Sequence, residues 1–400
     1  MDFEVPTAIS QYFPYLPPAM IAFVAVFLVT PLIGRIARKF GFVDLPADKR
    51  TRDDRTKAQR IHKKIMPKLG GVAIVIGFFI TLLFFDDIPS SVHGILIGLG
   101  LITMLGILDD KYELSGKIQI SVQLLAAIIV VVSGVTILDF QVAGQFIDLS
   151  TYTSDINIFG YLYTFNFPAD FITIFWILLA MNSLAWSCGI DALGESLTLV
   201  AVITFGALSM KFGNPSYTYL FFIFAGSVAG FIPYNFPGAK ILGGTAGHLN
   251  YGFFLSTMAI VSGTKLPTVI IILTIPLIDM IWVLIGRIKN NHLKSPLDLL
   301  SINDRTHLHH RIMDLGFSIK QTLYLELTLF SIFSIIAFYL GGFSFDFVIL
   351  ASSIVAILLF FAFLTILYKN GYKKKNGKNA QKKPEQTIKQ DPTPEERYAY

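Results

Sequence analysis

The sequence predicts an all-α, polytopic integral membrane protein with about eleven transmembrane helices, its N-terminus outside and its C-terminus in the cytoplasm. Three observations carry this. The 400 residues are 54% hydrophobic and only 15% charged, where a soluble chain carries about a quarter charged residues. Mean hydropathy is +0.62, and the apolar residues fall in blocks long enough to cross a bilayer, about 20 residues each. Lysine and arginine gather on alternate connections, which is how membrane helices set their orientation.

In order, the spans are expected near 17–36, 69–85, 92–108, 118–138, 170–187, 192–210, 218–235, 249–264, 267–286, 322–341 and 343–367. Apolar runs of this length are helices, because only a helix satisfies its own backbone in lipid. The connection from Arg35 to Lys68 holds twelve Lys/Arg against four Asp and is read as cytoplasmic. Counting onward puts 109–117, 188–191, 236–248 and 287–321 on the same side. The 31-residue connection 139–169 falls outside and contains no Lys or Arg, whereas 287–321 contains six. Residues 1–367 form one membrane-embedded domain, followed by a basic tail, 368–400, expected to be disordered near anionic lipid. The N-terminus is acidic and lacks the basic start of a signal peptide. The single Cys188 excludes an internal disulfide and a cysteine metal cluster.

Polar residues, glycines and histidines gather on the cytoplasmic connections. Asp109 and Asp110 close an apolar run in LGILDDKYELSGK, 105–117. Taken alone, the pair is equally what a helix ending in water looks like, since carboxylates are costly inside hydrocarbon. His62 and PKLGG (67–71), Asn182, Asp191, Asn235–Lys240 and LGGTAGH (242–248) lie on the same side. Gly70–Gly71 by itself reads as close helix packing, and GGTAGH as a weak anion loop. The last loop holds Arg305, His307, His309, His310 and Arg311, a density of donors suited to phosphate or a metal. Carboxylates with Gly-rich and His/Arg-rich loops suit a magnesium-assisted diphosphate reaction, because Mg²⁺ takes one or two carboxylates and shares its other positions with phosphate and water.

Those residues resemble the polyprenyl-phosphate N-acetylhexosamine-1-phosphate transferases, a family that includes the phospho-N-acetylmuramoyl-pentapeptide transferases. The likeness runs from about Gly41 to Gly316. It rests on GFVD (41–44) with His62 and PKLGG, on LGILDDKYELSGK with Gln123, on YNFPGAK (234–240), on Pro276 with Asp279, and on HLHHR (307–311). The resemblance implies transfer of a sugar 1-phosphate from a UDP-N-acetylsugar to a polyprenyl (undecaprenyl or dolichyl) phosphate, with release of UMP and with Mg²⁺. It implies a multi-pass protein of the cell membrane with its site on the cytoplasmic side, lipid and nucleotide-sugar as partners, and no nucleic acid; a homodimer is left open. Carried over, Asp109 would handle the lipid phosphate, and Asp110 and Asp191 would be catalytic and line the metal. His62, Lys117, Asn182, Asn235, Lys240, Thr245, His248, Arg305, His307, His309, His310 and Arg311 would bind substrate.

The sequence also departs from the family pattern. In AWSCGIDAL (185–193), Cys188 stands where an Asp is usual, with Ala185 and Ala192 in place of Asn and Gly. Thr245 stands where members use an Asp as magnesium ligand, and Gln119 where many have Lys. Two outcomes fit: an active enzyme resting on Asp109, Asp110 and Asp191, or a weakened member that binds nucleotide-sugar or lipid phosphate. A transporter is disfavoured, because the spans carry few charges away from their inner ends.

Overall fold

A computed structural model of the protein describes residues 10–46, 64–85, 88–142, 145–158, 160–264, 266–290 and 306–341, with parts of 351–365. His62, Arg305, most of the span expected at 343–367 and the tail lie outside the described residues.

The chain opens with α1, Leu16–Lys39, which has proline in its first turn, where a missing N–H costs nothing, and Arg38 and Lys39 in its last. Pro31 interrupts the helix ladder by leaving the carbonyl of Phe27 without its helical donor. The hydroxyl of Tyr234 supplies that donor at 2.9 Å from a neighbouring helix. A two-stranded ribbon, β1 (Val43–Asp44) with β2 (Met66–Pro67), brings the chain to α2, Gly70–Leu82. Then come α3 (His93–Tyr112) and α4 (Gly116–Val132), the latter capped by the Ser115 hydroxyl accepting from the Ile118 N–H.

Two antiparallel hairpins follow, β3 (Asp139–Val142) with β4 (Gln145–Asp148) and β5 (Tyr152–Ile158) with β6 (Tyr161–Phe167). The connection at 139–169, read in the sequence only for its lack of Lys and Arg, is therefore folded. Buried Asp170 anchors it, accepting from Tyr163, from the Asn166 N–H at 2.8 Å and from Thr136 at 3.1 Å.

The remaining helices are α5 (Ala169–Ser187), α6 (Leu193–Lys211), α7 (Pro215–Asn235), α8 (Gly244–Val261), α9 (Leu266–Ile272), α10 (Thr274–Asn290), the short α11 (Leu308–Asp314) and α12 (Ile319–Leu340). Among the described residues six helices are long and apolar enough to cross a membrane, and α9 with α10 make a seventh, bent by 74°. The expected continuous span at 267–286 is thus broken. Pro276 cannot donate to the Ile272 carbonyl, and the Thr274 hydroxyl draws on the carbonyls of Ile270 and Ile271 at 2.6 and 2.8 Å.

At the centre sits α8, packed against α2, α3, α5 and α6. Protein surrounds it, so it carries Asn250, Ser256 and Thr257 buried and hydrogen-bonded instead of a purely apolar surface. Phe78, Phe224 and Phe254 form an aromatic core beside it, two of them stacked at 3.9 Å. Toward its N-terminus the packing is backbone on backbone. A Cβ at Gly71 would fall 2.0 Å from the Gly247 nitrogen, and one at Gly106 2.2 Å from the Ala246 Cα. Small residues permit helices this close approach in membranes.

Gly71→Ala therefore forces α2 off α8. It is expected to cost about 1–3 kcal/mol as an overpacking change, read as a lower melting temperature of the purified protein in detergent. Gly100→Ala, where an added Cβ meets nothing within 4 Å, does not lower that temperature.

Candidate active site

The C-terminal end of α3 meets the N-terminal end of α8. Asp109, in the last turn of α3, accepts on one oxygen from the Leu114 N–H and the Gln119 amide, both at 2.9 Å. Its other oxygen accepts from the Thr245 hydroxyl at 2.6 Å. Three donors thus commit Asp109 to holding α3, α4 and α8 together. Gln119 supplies the donor here without a charge.

Asp110 is placed differently. Only 4% exposed, it accepts on Oδ1 from the Thr245 N–H at 3.1 Å, with the Lys68 ammonium 3.6 Å away. Its Oδ2 is buried and has no hydrogen-bond partner. That oxygen lies against Gly244, whose φ of +71° places a hypothetical Cβ 2.2 Å from it. Glycine at 244 is therefore required twice, by its left-handed backbone and by the carboxylate beside it. Lys68 comes from the segment between β2 and α2, which is sewn to the α7–α8 loop by backbone bonds from Leu242 to Pro67 (2.8 Å), Gly70 to Leu242 (2.9 Å) and Gly71 to Gly243 (2.8 Å).

The α7–α8 loop also holds Asp191, which lies in the turn between α5 and α6. Its Oδ2 accepts from the N–H groups of Gly238 and Ala239 at 3.1 and 3.3 Å. Asn235, expected to contact substrate, is instead a buried staple. Its oxygen accepts from the Ala192 N–H at 2.6 Å and its amide donates to the Ile241 carbonyl at 2.9 Å. Asn182 is likewise engaged between helices, donating to Gln123 at 2.7 Å and to the Leu178 carbonyl. Both amides are consumed by the fold. Lys117 and Lys240 are exposed, Lys117 in the first turn of α4 and Lys240 on the loop that holds Asp191.

The histidine loop closes the site. His307 Nδ1 lies 2.8 Å from buried Asp279, which also accepts from the Leu308 N–H at 2.8 Å. This fixes the ring and leaves Nε2 as the nitrogen that can act on a ligand. His307 and His309 stack with rings 5.7 Å apart, and His310 follows at 4.4 Å. His309 packs on Gly189, where a Cβ would be 1.9 Å from its Nε2, so the loop abuts the turn that carries Cys188 and Asp191. Trp186 lies between the edge of His307 and the guanidinium of Arg287, 4.7 Å from its ring. Arg311 lies over Trp282 and donates to the Thr306 carbonyl at 2.6 Å. His248 lies beside Gly243.

Sequence reasoning passed over Lys68, Trp186, the pairing of Asp279 with His307, and Glu195. Glu195 is 2% exposed and accepts from the Tyr251 hydroxyl at 3.1 Å. The signal for it was present, as a carboxylate inside an apolar span marks a site by default. Among the described residues no three His, Cys, Asp or Glu side chains converge to hold a metal ion by themselves.

The fold and this cluster define a multi-pass membrane protein whose acidic, glycine-lined site opens at one end of the helix bundle, with a histidine loop against it. The family model for Glycosyl transferase family 4 matches residues 92–263. The chain is 30% identical over 358 residues, covering 87% of it and 88% of the relative, to a probable undecaprenyl-phosphate N-acetylglucosaminyl 1-phosphate transferase of Bacillus subtilis (strain 168). It is 26% identical over 319 residues (76% and 78%) to the undecaprenyl-phosphate alpha-N-acetylglucosaminyl 1-phosphate transferase of Escherichia coli (strain K12). It is 23% identical over 367 residues (81% and 83%) to the decaprenyl-phosphate N-acetylglucosaminephosphotransferase of Mycolicibacterium smegmatis. The chain belongs to glycosyl transferase family 4, the polyprenyl-phosphate N-acetylhexosamine-1-phosphate transferases, and is an enzyme of that family.

Cys188 donates to the Leu184 carbonyl at 3.2 Å. Burial, with the Glu195 charge adding to it, pushes its thiol well above the ordinary range. Because the thiolate is the reactive form, maleimide labelling of the folded protein is expected to stay slow at about pH 8, near a free thiol's pKa. It becomes fast after denaturation in detergent, as read by mass spectrometry.

Proposed function

We propose that the chain transfers the sugar 1-phosphate of a UDP-N-acetylhexosamine to a polyprenyl phosphate at the cytoplasmic face of the membrane, so starting a glycan. A phosphate oxygen of the lipid forms a bond to the β-phosphorus of the nucleotide-sugar while the bond from that phosphorus to the UMP oxygen breaks. UMP leaves carrying the electron pair.

One observation carries the reading, namely the buried Oδ2 of Asp110, unpartnered and facing Gly244. A carboxylate oxygen held dry without a donor is costly and marks where a cation belongs. The residues fit Mg²⁺, which needs only one or two carboxylates from the protein and takes its other ligands from diphosphate and water. Asp110 would hold it, with Asp191 nearby; when bound, the ion would screen the charge that builds on the transferring phosphates. Asp109, with all three of its donors in place, orients the α3–α8 junction and keeps Asp110 aimed at the turn. Lys68 at 3.6 Å steadies Asp110 and adds positive charge for a phosphate. The histidine loop offers His307, held by Asp279, and the adjacent His309, His310 and Arg311 as donors to phosphate oxygens. Thr245 spends its hydroxyl hydrogen on Asp109 and so serves that junction.

Purified protein supplied with UDP-N-acetylglucosamine, a polyprenyl phosphate and Mg²⁺ is expected to release UMP. Asp110→Asn, which removes the charge and keeps the shape, lowers that rate by about 10²–10³-fold, the cost of losing one aimed electrostatic group. An undiminished rate in this variant would refute the assignment of Asp110.

A further inference from the structure

Glu195 sits in the first turn of α6, one helix away from the junction just described, and no role has been given to it. Its carboxylate is almost wholly buried, accepts from the Tyr251 hydroxyl and from its own backbone N–H, and has no ion pair among the described residues. The neighbours that act on it add negative charge: Asp191 is close enough to repel it, and Glu195 in turn acts on the Cys188 thiol.

Its position relative to Asp110 is the informative part. A Cβ on Gly243 would lie 2.7 Å from Glu195 Oε1, and a Cβ on Gly244 would lie 2.2 Å from Asp110 Oδ2. Two buried carboxylates thus press against consecutive glycines of a single turn, one from α6 and one from α3. Asp110 brings an oxygen with no partner to that turn, and Glu195 brings a carboxylate met by neutral donors and by no cation. Charge that is buried and uncompensated is normally neutralised by a partner, and Lys68 lies beside Asp110 alone.

We propose that Glu195 is a positioning residue for the divalent cation, supplying through the Gly243–Gly244 turn the negative charge that makes Asp110 and Asp191 sufficient to hold it. The inference rests on the transferase reading for the kind of ligand. It accounts for two departures in the sequence. With Glu195 in place, a carboxylate at 188 would be a further like charge packed beside it and Asp191. A carboxylate at 245 would face Asp109 where a hydroxyl now donates. Cys188 and Thr245 therefore suit a site whose second layer of charge comes from α6.

The test is a Mn²⁺ titration of the full-length protein in detergent, followed by electron paramagnetic resonance, with and without UDP-N-acetylglucosamine and always without lipid acceptor. Glu195→Gln keeps the acceptor for Tyr251 and removes only charge. It is expected to weaken Mn²⁺ binding by about tenfold, the scale of a second-layer change at a metal site. Gly243→Ala, which crowds the Glu195 carboxylate without altering charge, weakens it in the same direction. Asp148→Asn, on an outer hairpin, leaves it unchanged. Mn²⁺ binding unaltered in both Glu195→Gln and Gly243→Ala would overturn the proposal while leaving UMP release by the wild type intact. Weakened binding in those variants from a wild type that releases no UMP would uphold it while refuting the transferase reading.

Discussion

The hydrogen bond from Thr245 to Asp109, at 2.6 Å, is the constraint on which the site depends. It joins the last turn of α3 to the first turn of α8, and α8 is the helix against which α2, α3, α5 and α6 pack. The junction is tight because Gly71, Gly106 and Gly247 let backbones touch. With the helices this close, Asp109 is held by three donors, and the next residue, Asp110, is directed at the Gly244 backbone with one oxygen unused. A chain in which α3 and α8 stood further apart would solvate both carboxylates and lose the difference between them.

Around that junction the fold concentrates negative charge. Asp110, Asp191 and Glu195 are all buried, and the Lys68 ammonium lies 3.6 Å from Asp110. Asp191 is steadied by two backbone N–H groups, a device that balances a carboxylate without spending a side chain. The opposite wall is basic and aromatic, built from His307, His309, His310, Arg287 and Trp186. Gly189 is the contact between the walls, since His309 lies where its side chain would be. Acid on one side and imidazole and guanidinium on the other give the site two walls of opposite character.

Much of this was legible in the sequence, and the failures have physical causes. Helices occupy the first ten expected spans, because uninterrupted apolar runs leave no alternative in lipid. The eighth is not purely apolar, since a helix enclosed by protein need not be and α8 carries Asn250, Ser256 and Thr257. The hairpins between α4 and α5 were missed. Their strands, such as Tyr161–Phe167, mix aromatic and polar residues in short runs, and the absence of Lys and Arg spoke only to their side of the membrane. The bend at Leu273 was foreshadowed by Pro276 but depends also on which carbonyls Thr274 chooses. The clustering of Asp109, Asp110, Asp191, Thr245 and the histidines followed from the Lys/Arg pattern, which puts all of their connections on one side. Residue type could not show that Asn182 and Asn235 spend their amides inside the fold. Nor could it show that Thr245 serves Asp109, or that Glu195 reaches the same turn as Asp110. Those facts depend on side-chain direction, which the packing of α6, α7 and α8 decides.

The most direct measurement is the structure of the protein with Mn²⁺ and UDP-N-acetylglucosamine, the ion located by its anomalous scattering. The account predicts a single site peak in direct contact with Asp110 Oδ2 at the Gly244 turn, bridged to the diphosphate, with the Thr245–Asp109 hydrogen bond intact. An ion held by Asp109 with that bond broken, or a diphosphate bound away from the turn, would contradict it.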